Sequence, residues 1–203
     1  MVNNTTFRGS SQIGEFLLLG VEEIIGRSGL NAVLNLTQGT IQKNELGKRM
    51  DYADVSGAVA GLEKFYGPRG GRGIALRAGR AGFKYLLRQN GSQIGIIDLN
   101  FRLLPVPVRL KTGLEALAGL MGKIGDEQVT VGEDERYWTW RSESCPLCWG
   151  RVSREPVCQF SVGLLQEFFT WASGGRVYSL SEVACQAAGA PACLIKIDKK
   201  ALD

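Results

Sequence analysis

The 203-residue sequence contains no histidine. Ser-His and Cys-His nucleophile pairs are therefore impossible, and the easily read hydrolase and acyl-transfer chemistries go with them. Long apolar runs are also missing. The longest, around Phe16-Leu17-Leu18-Leu19, is far short of the roughly 20 residues a membrane-spanning helix needs. The opening segment MVNNTTFRGSSQ lacks a basic region followed by an uninterrupted apolar core, so no secretory signal is visible and a cytoplasmic location is the expectation. No fixed-period repeat or low-complexity tract occurs. Neither phosphate-binding fingerprint is present. The glycine-rich GPRGGRG at 67–73 does not follow a strand and has the wrong spacing, while Gly122-Lys123 is followed by Ile124 and has no glycine at the required upstream position.

What is present is ordinary in amount and uneven in placement. Apolar residues make up 44% and charged residues 22%, inside the globular range. The length suits one domain with a sizeable core and is short for two, so residues 1–203 are expected to form a single domain. The net charge is only +4, yet Lys64, Arg69, Arg72, Arg77, Arg80, Lys84 and Arg88 follow one another with no acid among them.

Apolar periodicity gives the elements. Gln12 to Arg27 reads as a helix with Ile13, Phe16, Leu17, Leu18, Leu19, Val21, Ile24 and Ile25 apolar. That stripe is wider than one core face requires, and it predicts burial on two sides, the second against another copy in a homodimer. A short helix follows around Leu30 to Leu36. Asp51 to Tyr66 is helical and ends at Gly67-Pro68. Ile74 to Gln89 is helical again, with Leu76, Gly79, Phe83 and Leu86 inward and Arg77, Arg80, Lys84 and Arg88 outward. Its small residues Ala75, Ala78, Gly79 and Gly82 permit close approach to neighbours. Leu110, Leu114, Leu117, Met121 and Ile124 mark one more helix after Pro105 and Pro107. Beyond Gly125 the pattern changes. Val129 and Val131, an acidic turn, then Trp138 and Trp140 read as a β-hairpin. Val157 to Trp171 returns to helix, and Val177 to Cys185 and Cys193 to Ile197 read as strands joined by Gly189-Ala190-Pro191. The expected class is α+β, with helices over 1–125 packed on a C-terminal antiparallel sheet in 126–203.

The five cysteines, Cys145, Cys148, Cys158, Cys185 and Cys193, all fall in the last third. An odd number leaves a simple disulfide framework incomplete, and in a reducing compartment spaced cysteines more often hold metal or do redox work. Cys145-Pro-Leu-Cys148 has the spacing of a metal knuckle or redox pair. A turn folding Cys185 back onto Cys193 brings two thiolates together. The competing explanation is that buried cysteines simply fill core.

The stretch CPLCWGR…PVCQFSVGLLQEFFTWASGGRVYSLSEVACQAAGAPACLIKI resembles the 4-vinyl reductase domain family. Its fold is shared with subunits of the TRAPP vesicle-tethering complex and with sensor domains of phenol- and xylene-responsive activators. The shared pattern is a cysteine opening a helix, a glycine five residues on, Glu-x-x-Cys, seven residues and a last cysteine: Cys158, Gly163, Glu182, Cys185 and Cys193. GIALRAGRAGFKYLL resembles the family's earlier helix. The resemblance implies that Cys158, Glu182, Cys185 and Cys193 bind zinc, with Cys145 or Cys148 able to displace the glutamate. On a regular strand Glu182 and Cys185 point to opposite faces, so sharing a metal requires a bulge or turn between them.

It further implies a pocket for a small apolar or aromatic ligand, for which Phe83, Trp138, Trp140 and Phe168 are the candidate lining. The same residues at this spacing also serve as plain core. The phenol sensors hold the ligand hydroxyl with a histidine, a route closed to this chain. Two other classes stay open: a reductase or carrier of (bacterio)chlorophyll-type tetrapyrroles, and an assembly or tethering scaffold, the latter resting on fold alone. No nicotinamide-binding motif is present, so the chain is expected to be non-catalytic. The basic face Arg77/Arg80/Lys84/Arg88 reads as a solvated surface or as a site for an anionic partner, with nucleic acid the weakest option at this net charge.

Overall fold

The structure is a computed structural model and describes residues 9–37 and 49–202. Among the described residues, five helices and six strands follow in the order β1 (Ser10–Ser11), α1 (Ile13–Leu34), β2 (Met50–Asp51), α2 (Tyr52–Asn90), α3 (Leu99–Leu103), α4 (Val106–Ile124), β3 (Val129–Glu133), β4 (Tyr137–Ser142), α5 (Gln159–Ser173), β5 (Tyr178–Ala184) and β6 (Cys193–Ala201). The class is α+β, as the order of periodicities predicts. β1 and β2 form a two-stranded ribbon, and β3–β4–β6–β5 form an antiparallel sheet.

Two glycines reshape the helical half. Gly67 has φ +75° and ψ 162° inside the span of α2, a conformation open to glycine at little cost. The chain turns a corner there, because Gly71 sits directly against the Glu63 backbone, whereas residues eight apart in a straight helix lie about 12 Å apart. Pro68 follows at the first position of the second arm, where its missing N–H costs nothing. GPRGGRG is therefore mostly helix, and the arm begins at Pro68 rather than at Ile74. Gly26 makes a similar break in α1, with φ +74° and ψ 166°. The first arm of α1 is buried from Ile13 to Leu17, while Leu18, Ile24 and Ile25 are partly buried and pack on the core. Much of its wide apolar stripe is thus covered within the chain.

The sheet buries one face. Along β4, Trp138, Trp140 and Ser142 point inward, and they pair with Ile197, Ile195 and Cys193 of β6. This is the period-two alternation of a half-buried antiparallel sheet. α5 lies against this face, and α2 packs across α5 with the carbonyl of Phe160 directly at Gly79 and the carbonyl of Leu76 directly at Gly163. Side chains of both halves join one hydrophobic cluster. Among the described residues no helix is long and apolar enough to cross a membrane.

Of the basic face on α2, Arg80 pairs with Glu167 of α5 at 3.1 Å and Lys84 pairs with Glu23 of α1. Two of the four cations thus meet an anion within the chain. Arg77 and Arg88 are exposed.

Candidate metal centre

Three local structures bring the cysteines to one point beside the N-terminus of α5. Pro146–Cys148 form a single 3-10 turn, which folds Cys148 back so that its thiol faces the Cys145 carbonyl. Cys158 is the N-cap of α5. In β5, Glu182 pairs with Ile195 and Ala184 with Leu194, so Val183 is one extra residue against β6. That bulge is the break in alternation that lets Glu182 and Cys185 turn to the same side. The turn Gln186–Ala188 then carries the chain round to Cys193, with the Ala188 and Ala190 N–H groups both donating to the Cys185 carbonyl.

All five cysteines are buried and free. Close sulfur pairs are Cys148–Cys193 at 3.4 Å, Cys145–Cys158 at 3.5 Å, Cys158–Cys193 at 3.7 Å, Cys158–Cys185 at 3.8 Å and Cys185–Cys193 at 3.9 Å. A tetrahedron with zinc–sulfur bonds of about 2.3 Å has edges of about 3.8 Å. Two four-donor sets have all their ligand atoms within 4.8 Å of one another: Cys145, Cys148, Cys158 and Cys193, and Cys158, Glu182, Cys185 and Cys193. The second set is the one the family resemblance implies.

The electrostatics fit a cation. The Cys148 thiol is held well below its ordinary range because Cys145 foremost, and then Cys158, Cys185 and Cys193, donate to its sulfur. Cys193 and Cys158 are pushed up, each by its hydrogen bond with Cys145 foremost. One sulfur thus collects the protons of its neighbours, and a divalent ion would replace them. Glu182 is pushed up to about 8, by burial first and then by the charge on Cys185. Its Oε2 accepts the Cys158 backbone N–H at 2.8 Å, whereas Oε1 is buried without a partner. An orphaned carboxylate oxygen beside three sulfurs has the makings of a ligand.

Two residues that no sequence pattern singles out complete the surroundings. Gln186 ties the loops together: its Oε1 accepts from the Cys145 N–H, its Nε2 donates to the carbonyls of Glu143 and Pro191, and its backbone N–H points at the Cys193 sulfur. Glu127 is buried next to a cavity of about 10 Å³ lined by Ile13, Met121, Trp140 and Leu147, room for about one water. Burial pushes Glu127 up to about 7, against the Ser142 hydroxyl that donates to it at 2.8 Å. Because the folded value lies above the ordinary 4.5, the contribution of Glu127 to stability is full below pH 4.5 and lost as pH rises through 7. Glu127→Gln keeps an acceptor for Ser142 without the charge. The variant is expected to match the parent near pH 4.5 and to exceed it above pH 7 by on the order of 3 kcal/mol. Urea denaturation at both pH values reads this directly, and a constant difference across pH would refute it.

The aromatic candidates occupy one layer between α5 and the sheet. Phe83 meets Phe168 edge-on at 6.1 Å, Phe168 meets Phe169 at 5.3 Å, and Phe169 meets Trp138 at 5.6 Å and Tyr178 at 5.4 Å. Phe169 is the hub, a residue absent from the candidates that the sequence offers. Trp140 stands apart, lining the small cavity beside Glu127. The Trp138 Nε1–H is buried and has no acceptor.

Comparison with known proteins places this architecture. Residues 138–199 match the model of the vinyl-4-reductase domain, the family that the cysteine pattern resembles. The matched segment takes in α5, β5, most of β4 and β6, and all five cysteines. No curated protein matches the sequence. Among solved structures, an H-NOX protein from S. oneidensis in the Fe(II)NO ligation state is similar at 12% identity and TM-score 0.62, covering 93% of this chain and 99% of that one. An Fe(II) unliganded H-NOX protein from K. algicida is similar at 10% identity and TM-score 0.56, covering 94% and 96%. The phenol-responsive sensory domain of the transcription activator PoxR with phenol aligns at 20% identity and TM-score 0.48, covering 86% and 90%. At these identities the H-NOX likeness is one of fold.

Proposed function

We propose that the chain is a zinc-containing, non-catalytic module that binds a small apolar or aromatic molecule in the layer between α5 and the sheet. The observation that carries the reading is the Trp138 indole N–H, buried in an aromatic layer with no acceptor. Leaving such a donor unsatisfied costs roughly 1–3 kcal/mol. A ligand oxygen at that point would recover the loss, while Phe83, Phe168, Phe169 and Trp140 would supply apolar walls. The neighbouring cavity of about 10 Å³ is too small for such a ligand, so entry requires side chains of the layer to move aside. Zinc at the cysteines supplies the clamp. It would tie the first turn of α5, through Cys158, to the β5–β6 turn, through Cys185 and Cys193, and so hold the helix over the pocket. A haem iron held by histidine is impossible here, because the chain has none. An organic extract of the purified protein separates a coloured tetrapyrrole from a colourless aromatic.

Anisole and ethylbenzene test the assignment. They have the same number of heavy atoms and differ by an oxygen in place of a methylene, so only anisole can accept from Trp138. Calorimetric titration of both into the parent and into Trp138→Phe is expected to show that the substitution weakens anisole about tenfold relative to ethylbenzene, or about 1.4 kcal/mol. An unchanged ratio, or no binding of either probe to the parent, overturns the reading.

A further inference from the structure

Resting on the reading of these cysteines as metal ligands, we infer that the site holds two divalent thiolate-bound ions of the zinc class, bridged by the sulfurs of Cys158 and Cys193. The two four-donor sets share those two residues and no others. One ion then has Cys145 and Cys148 as its own ligands, and the other has Glu182 and Cys185. Together they use all six donors, each ion four-coordinate, with no donor idle.

A single ion leaves a worse structure. On the set Cys158, Glu182, Cys185 and Cys193 it abandons Cys145 and Cys148, both buried, with the Cys148 sulfur 3.4 Å from that of Cys193. A thiolate there would face ligand thiolates with no cation of its own. On the all-cysteine set it abandons Glu182, whose buried Oε1 has no partner. Two divalent ions against five thiolates and one carboxylate leave a net charge of −2 on the group. That residual charge lies where the fold can bear it. Cys158 caps the N-terminus of the 15-residue α5, whose dipole favours negative charge. The Gln186 N–H points at the bridging Cys193 sulfur at 3.4 Å. Bridging sulfurs carry less charge per metal than terminal ones, which suits the two positions at the buried centre.

The test is metal content by plasma mass spectrometry on full-length protein purified without chelator. Two zinc ions per chain are expected in the parent, and one in the double variant Cys145→Ser/Cys148→Ser. One ion per chain in the parent overturns the bridged pair and leaves the single-site clamp standing. None overturns both. Two ions in the double variant also overturn the inference, since the second then lies elsewhere. Should that variant fail to fold, cobalt in the parent decides the matter. The first equivalent of Co²⁺ is expected to give a full high-spin resonance signal, and the second to diminish it through coupling across the shared sulfurs. A signal growing in proportion to two equivalents refutes the bridge.

Discussion

Gly163→Ala is expected to lower the melting temperature by roughly 10 °C, although alanine ordinarily strengthens a helix by about 1 kcal/mol over glycine. The sign is reversed by the crossing of α2 and α5. A Cβ on Gly163 would fall on the carbonyl of Leu76, and one on Gly79 would fall on the carbonyl of Phe160. The collisions are reciprocal and involve backbone on both sides, so no side-chain rotation relieves them. The helices must separate, opening the layer that holds Phe83 against Phe168. Overpacking of this kind costs roughly 1–3 kcal/mol and more where backbone must shift, and about 1 kcal/mol moves the midpoint of a chain this long by about 2–4 °C. Gly119→Ala is the matched control. Gly119 lies in α4, exposed, with nothing within 4 Å of an added Cβ, and the variant is expected to melt slightly above the parent. Because Cys158 caps α5 only five residues before Gly163, displacement of the helix should also loosen metal. Faster zinc release from Gly163→Ala to a chromogenic chelator would register that coupling. A Gly163→Ala variant as stable as Gly119→Ala would mean that the crossing is not close-packed.

The glycine five residues after Cys158 is visible in the sequence as part of a pattern, but its reason is not. A sequence shows that a helix carries small residues. It does not show which carbonyl they face, because that is set by a partner helix far back along the chain. Local signals are more legible. The hairpin forms with Trp138 and Trp140 inward because its alternation is unbroken, and strong apolar runs bound α5 and β6. Gly67-Pro68 reads as a stop followed by a loop, since glycine and proline punctuate both loops and helix corners. Only the approach of Gly71 to Glu63 distinguishes the two. The bulge at Val183 is demanded by the spacing of Glu182 and Cys185, a case where ligand geometry constrains a strand more tightly than propensity does. Gln186 and Glu127 are silent in the sequence for the opposite reason. Each is a common surface residue type whose importance here comes wholly from burial and long-range partners. Phe169 is hidden beside Phe168, because adjacent residues on a helix differ by about 100° and periodicity assigns only one of them inward.

The cysteines should separate into tiers when replaced by serine one at a time. Cys158→Ser and Cys193→Ser remove a donor common to both four-donor sets, so each is expected to lose both ions and suffer the largest fall in urea midpoint. Cys145→Ser and Cys148→Ser leave the set of Cys158, Glu182, Cys185 and Cys193 complete. Cys185→Ser leaves the all-cysteine set complete. These three are expected to keep one ion and to fall between the parent and the first tier. Structural zinc contributes on the order of 10 kcal/mol of apparent folding free energy in small metal-dependent domains, so the gap between tiers should far exceed the cost of exchanging a buried sulfur for a hydroxyl. The chelator EDTA supplies the control for that exchange. With metal stripped from every protein, the tiers should collapse to small differences reflecting packing alone. Tiers that persist in chelator would show that the cysteines act as core. Equal losses for Cys145→Ser and Cys158→Ser with metal present would show that the sulfurs form one four-ligand site in which Cys145 is as necessary as Cys158, and Glu182→Gln should then leave zinc content unchanged.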